Sequence, residues 1–135
     1  MAFTQFIDGA LTVAHGKGSW MNLNPADGQP LGEVYHATDE DIEAAVRSSE
    51  KAFQLWRTKT GAERGRVLTK TAQILRSRLE GIALLETRDV GKPIAESLAV
   101  DVSSAADALE YFGGIAAGIH GEFFDLKNAF GYTRA

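Results

Sequence analysis

The sequence contains no cysteine. That excludes disulfides, thiolate metal sites and a thiol nucleophile anywhere in the chain. It also lacks a basic tract: 14 lysines and arginines are scattered among 18 acids, for a net charge of -4, which leaves no electrostatic footprint for nucleic acid. No run approaches the roughly 18 apolar residues of a membrane span. The opening MAFTQFIDGALTVA has neither the basic start nor the long apolar core of a secretory signal. A cytoplasmic protein without a nucleic-acid or membrane partner is expected. The three histidines, His15, His36 and His120, are isolated from one another and read as loop or surface residues.

Two glycine-lysine pairs raise the question of a phosphate loop. Gly16-Lys17-Gly18-Ser19 lacks the G-x-x-x-x-G-K-[ST] spacing and has no helix pattern behind it, and Val90-Gly91-Lys92-Pro93 has proline where the hydroxyl is needed. Neither is a nucleotide motif.

What is present is a clear order of elements in a chain of 135 residues, the size of one domain. Asp8-Gly9 is a hairpin dipeptide between Gln5-Phe6-Ile7 and Ala10-Leu11-Thr12-Val13, and Asn24-Pro25-Ala26-Asp27-Gly28 is a turn between two further β-prone runs. These signals predict three or four short strands. Thr38 with Asp41, and Thr60 with Glu63, then mark two helix starts by the capping-box pattern. Ile42, Ala45, Val46, Ser49, Ala52, Phe53 and Trp56 recur at helical spacing, which predicts a buried face on the first helix. Val67, Leu68, Ala72, Leu75 and Leu79 do the same on the second.

A short third helix is expected over about 80–89, ended by Gly91 in the left-handed conformation. Pro93 belongs in the first turn of a fourth, long helix of about 27 residues, or about 40 Å. Two β-prone runs around Lys127-Asn128 close the sequence. The fold class is thus α+β: N-terminal hairpins, four helices with the last one long, and terminal strands. Glu86 and Asp89 share a helical face, which suits either a paired-carboxylate acid/base site or a solvated, helix-capping pair. Lys92 lies near the negative end of the third helix. Asp107, Glu110 and Tyr111 form a polar flank facing water or another subunit.

The combination FIDGAL, LNPADGQPLGEV, TDEDIEAAVRSSEKAFQLW, LETRDVGKPIAES and ALEYFGGIAAGIHGE resembles the N-terminal part of the NAD(P)-dependent aldehyde dehydrogenase superfamily. VDVSSAADALEYFGG and GYTR look closest to its betaine-aldehyde branch. The resemblance implies part of an α/β dehydrogenase fold. Residues 1–121 would supply strands and helices of the coenzyme-binding domain, and residues 122–135 the first strands of an oligomerisation domain. It implies that Val100 and Ser104 line the substrate entrance. It also implies that Asp89, with backbone carbonyls of Asn22 and Leu23, holds a monovalent cation, Na⁺ or K⁺, a hard-oxygen set suited to such an ion.

In that family the nucleophilic cysteine, the glutamate base, the oxyanion hole and the glycine-containing coenzyme turn all belong to later sequence. No catalytic or coenzyme-binding residue is therefore assigned here, and NAD or NADP is expected only of the parent enzyme. The expectation is an N-terminal piece of an aldehyde dehydrogenase, inactive alone. Alternatives are a free-standing oligomeric interaction module and a partner of a full-length dehydrogenase. In each case apolar faces such as Ile42/Val46/Phe53 and Leu98/Val102/Leu109 need a cover, which predicts a dimer or higher oligomer.

Overall fold

The computed structural model describes residues 3–133. Strands β1 (Gln5–Ile7) and β2 (Ala10–Thr12) form the first hairpin. Its two central residues, Asp8 and Gly9, both have positive φ, 50° and 82°, the geometry that matches the twist of paired strands. The second hairpin joins β3 (Ser19–Leu23) to β4 (Pro30–Tyr35), with a register shift between Asn22 and Leu23. The third joins β5 (Phe123–Leu126) to β6 (Ala129–Tyr132). The three hairpins are separate two-stranded sheets. Arg134 and Ala135, the end of the expected oligomerisation strands, lie outside the described residues, as do Met1 and Ala2.

Between the hairpins lie the helices: α1 (Asp39–Trp56), α2 (Gly61–Ser77) and α3 (Leu79–Val90). Both capping boxes form as expected. Thr38 Oγ1 accepts the Asp41 amide while Asp41 accepts the Thr38 amide, and Thr60 and Glu63 do the same. Helix α3 ends at Gly91, whose φ of 79° is left-handed and whose amide donates to the Thr87 carbonyl.

The fourth expected helix is one helical run over 94–118, but it is not uniform. It starts as α4 (Ile94–Glu96), widens into a π turn (Ser97–Asp101), continues as α5 (Val102–Ile115) and tightens into a 3₁₀ turn (Ala116–Gly118). Pro93 is the extended residue just before the run, ψ 136°, not a member of its first turn. Proline cannot donate, and it biases the preceding residue away from helix, so it suits a boundary.

The core is small-residued and sits between α2, α3 and the long helix. Ala72, Ala83, Val102 and Ala106 are buried there. α2 and α5 meet backbone to backbone: a Cβ on Gly65 would overlap the Gly113 carbonyl oxygen, and one on Gly113 would lie 2.7 Å from Thr69 Oγ1. Val102 is thus covered, and Leu98 and Leu109 are half-buried, which corrects the expectation that this face needs another partner.

The α1 face does lack a cover, as expected for Ile42/Val46/Phe53, though the helical spacing alone had suggested a buried face. Ile42, Val46 and Phe53 are 54%, 48% and 56% exposed, so the face predicted to be buried is bare. Spacing reveals which side of a helix favours burial, not whether a covering layer exists. Here α1 packs against β1, leaving the apolar side open.

Candidate functional site

Two sequence motifs far apart in the chain meet at the C-terminal end of α3. The Asn24–Gly28 turn is closed by the Gly28 amide donating to the Asn24 carbonyl at 2.8 Å and the Ala26 amide to Asn24 Oδ1 at 3.0 Å. Asparagine at the start of the turn serves this local side-chain bond. The turn rests on Gly91, where a Cβ would come within 3.0 Å of the Ala26 nitrogen and 3.1 Å of Pro25 Cβ. Glycine at position 91 is therefore required twice, by its positive φ and by this close approach.

This docking places Asn22 beside Asp89, 67 residues later, with Asn22 Nδ2 donating to Asp89 Oδ1 at 2.7 Å. The β3–β4 register shift falls at Asn22/Leu23, and such irregularities interrupt the ladder that pairs backbone groups. A carboxylate next to a ladder break offers oxygen donors of the kind a hard monovalent cation takes. Leu23 follows Asn22 and has no side-chain oxygen, so any part it has in such a site is through its backbone carbonyl. Among the described residues there is no cluster of three or more His, Cys, Asp or Glu able to hold a metal ion.

Glu86 and Asp89, which share a helical face, turn to different partners. Asp89 turns to Asn22, whereas Glu86 Oε1 accepts from Lys92 Nζ at 2.7 Å. Lys92 also donates to Asp101 Oδ2 in the π turn. Its side chain is 20% exposed, and hydrogen bonds to Asp101 first and Glu86 second push its pKa above the usual lysine value. The two carboxylates are thus occupied with different partners, which removes the acid/base reading. Beneath them Thr87 Oγ1 donates to Ser97 Oγ at 2.9 Å, and Ser97 is completely buried.

Val100 lies in the π turn and Ser104 in the first turn of α5. They are four residues apart, and both are exposed. No side-chain hydrogen bond joins either to Asp89 among the described residues.

Several interactions escaped sequence reasoning. The Lys92 bridge was hidden because Asp101 is nine residues away, beyond the break between α3 and the next helical run. His15, read as a loop residue, does have a largely exposed side chain. Yet its Nδ1 lies 2.6 Å from Asp41 Oδ1, and its amide donates to Oδ2 of the same residue. The acidic flank of α5 is bound within the chain, since Arg76 reaches both Asp107 and Glu110, at 2.8 and 2.6 Å. An arginine in the last turn of α2 was the available signal.

Residues 13–135 match the aldehyde dehydrogenase family. Betaine aldehyde dehydrogenase 2 of Rhizobium meliloti is 42% identical over 98% of this chain and 28% of its own length. Betaine aldehyde dehydrogenase of Brucella anthropi is 45% identical over 97% of this chain and 27% of its own. The chain therefore spans just over a quarter of the length of these relatives. Among solved structures, the NAD⁺ complex of aldehyde dehydrogenase from Bacillus cereus superposes with a TM-score of 0.89 at 33% identity, covering 99% of this chain and 28% of that one. Betaine aldehyde dehydrogenase from Staphylococcus aureus, also solved with NAD⁺, gives 0.82 at 31% identity over 92% of this chain and 25% of that one. The docking of the N-P-x-x-G turn on the helix-ending G-K-P is thus part of a fold shared along nearly the whole sequence, and the chain belongs to the aldehyde dehydrogenase family.

Proposed function

We propose that this chain is the scaffold segment of an NAD(P)-dependent aldehyde dehydrogenase, with betaine aldehyde as the parent substrate, and that it has no dehydrogenase activity alone. The carrying observation is the absence of cysteine from a chain that spans just over a quarter of its relatives' length. The family's reaction begins with thiolate attack on the aldehyde, and the bound nicotinamide cofactor supplies the hydride acceptor. What these residues do is structural. Residues 1–121 supply an outer layer of the coenzyme domain, and residues 122–135 begin the oligomerisation strands. The bare apolar side of α1 and strand β5, exposed along its length, support this division, since both await a neighbour. Val100 and Ser104 border the substrate entrance, and Asn22, Leu23 and Asp89 contribute to a Na⁺ or K⁺ site. No described helix is long and apolar enough to cross a membrane, which suits a cytoplasmic enzyme.

Absorbance at 340 nm with betaine aldehyde and NAD⁺ or NADP⁺ tests the reading. No turnover is expected from the purified chain, and calorimetric titration of either coenzyme is expected to be silent. Turnover, or saturable coenzyme binding, would refute the assignment. A second reading, a self-associating module, is favoured by the same exposed apolar faces.

A further inference from the structure

We propose that the Asp8-Gly9 turn of the first hairpin is a site of spontaneous modification, at which aspartate isomerises to isoaspartate, and that the fold protects the chain's second Asp-Gly pair, Asp27-Gly28, from the same reaction. The chemistry belongs to the dipeptide itself. The Gly9 backbone nitrogen attacks Cγ of the protonated Asp8 carboxyl group; an N–Cγ bond forms, and the carboxyl hydroxyl leaves with the amide proton as water. A second water then opens the cyclic imide. Cleavage of the new N–Cγ bond restores aspartate, whereas cleavage at the original peptide carbonyl leaves the chain running through the side chain, longer by a methylene. Glycine in second place matters because it puts no side chain in the path of the attack.

Sequence does not separate the two pairs, and both are exposed. Structure separates them. At Asp27 both reacting groups are engaged: Oδ1 accepts from the Gln29 amide at 2.9 Å, a side-chain turn that aspartate favours, and the Gly28 amide donates to the Asn24 carbonyl at 2.8 Å. That turn is also braced, since Pro25 and Ala26 rest against Gly91. At Asp8 neither group is held. The Gly9 amide has no acceptor among the described residues, and Ser48 Oγ stands 3.5 Å from Asp8 Oδ1, beyond the ordinary range for a hydroxyl donor. Asp8 is, besides, the only described non-glycine residue with positive φ, 50°, a conformation that costs an L-residue energy and so favours leaving the closed turn. Attack requires the turn to open, and little keeps it shut: β1 and β2 have three residues each and form a sheet of their own. The strands flanking Asp27-Gly28 have five and six. Once formed, isoaspartate lengthens a two-residue hairpin connection that has no slack for it.

The test is to age the purified chain in near-neutral buffer at physiological temperature. Isoaspartate is counted by methyl transfer from S-adenosylmethionine with an isoaspartyl methyltransferase, and is assigned to its position by electron-transfer fragmentation of the peptides. Breaking one hydrogen bond of ordinary net strength lowers the reactive population about fivefold, so isoaspartate at position 8 is expected to accumulate at least about fivefold faster than at position 27. In urea, which removes the fold, the two rates are expected to converge. Equal rates in the folded chain, a faster reaction at position 27, or no isoaspartate at position 8 would each overturn the proposal. So would a gap that persists undiminished in urea, because it would then come from the neighbouring residue types and not from the turns. None of these readouts involves enzyme activity of this chain, so they are independent of the dehydrogenase assignment.

Discussion

Asp41 shows how much one carboxylate can organise. It accepts the amides of Thr38 and His15 and meets the His15 ring, so it closes the start of α1 and fastens the loop before β3 to it. These bonds, the Thr38 amide first, favour the charged form and hold its pKa well below the ordinary carboxyl value of 3.8. A depressed native pKa means that the stabilisation is complete above 3.8 and is lost as pH falls toward and through the native value. Asp41→Asn is therefore expected to be less stable than the parent at neutral pH. In urea unfolding, the gap between the two should narrow steadily below pH 3.8; a constant gap would show that Asp41 acts by shape alone. The capping half of this was legible, because Thr38 and Asp41 are three residues apart. The His15 half was not, because it spans 26 residues and depends on a loop path that no periodicity encodes. Asp89 carries the other prediction at this scale. In a full-length relative, replacing the matching acid by alanine should weaken Na⁺ or K⁺ dependence of activity, and unchanged dependence would return Asp89 to a role limited to its Asn22 bond.

Among elements, the α2–α5 pair is the most closely packed. Its contact is made by backbones meeting at Gly65 and Gly113, with Ala72 and Ala106 buried beside them. Gly65→Ala forces a methyl group onto the Gly113 carbonyl and is expected to cost about 1–3 kcal/mol, the usual penalty of overpacking. By contrast, Gly81→Ala on α3 has open space around it and is expected to be neutral or to stabilise by up to about 1 kcal/mol. Thermal unfolding of the two variants separates the effects, and equal Tm values would deny the close approach. Helix starts and the Gly91 stop could be read from sequence because caps are made within a few residues. The π turn could not, since regular and widened helices share the same local propensities.

At the scale of the whole molecule, the apolar residues left in water are the dominant feature. Phe53, Trp56 and Ile42 on α1, and Phe123, Phe130 and Tyr132 on the last hairpin, are all more than 40% exposed. Patches of this kind on a soluble chain call for a partner, and unpaired hairpin edges add backbone groups open to pairing. Sedimentation velocity at micromolar concentration is expected to show a dimer or larger species; a monodisperse monomer would contradict self-association. The sequence reading obtained the α+β class and the order of elements from turn dipeptides, caps and apolar spacing. Of the two faces expected to need a cover, Ile42/Val46/Phe53 on α1 is left open, whereas Leu98/Val102/Leu109 on the long helix is covered within the chain.

The separation of the chain into three hairpins, each closed by its own turn, bears on how the protein emerges during synthesis. Every described strand pairs with its immediate neighbour in the chain, and the helical core closes within residues 61–118. Nothing in the described segment has to wait for a distant strand. It can therefore collapse as soon as it leaves the ribosome, while the α1 face is still uncovered.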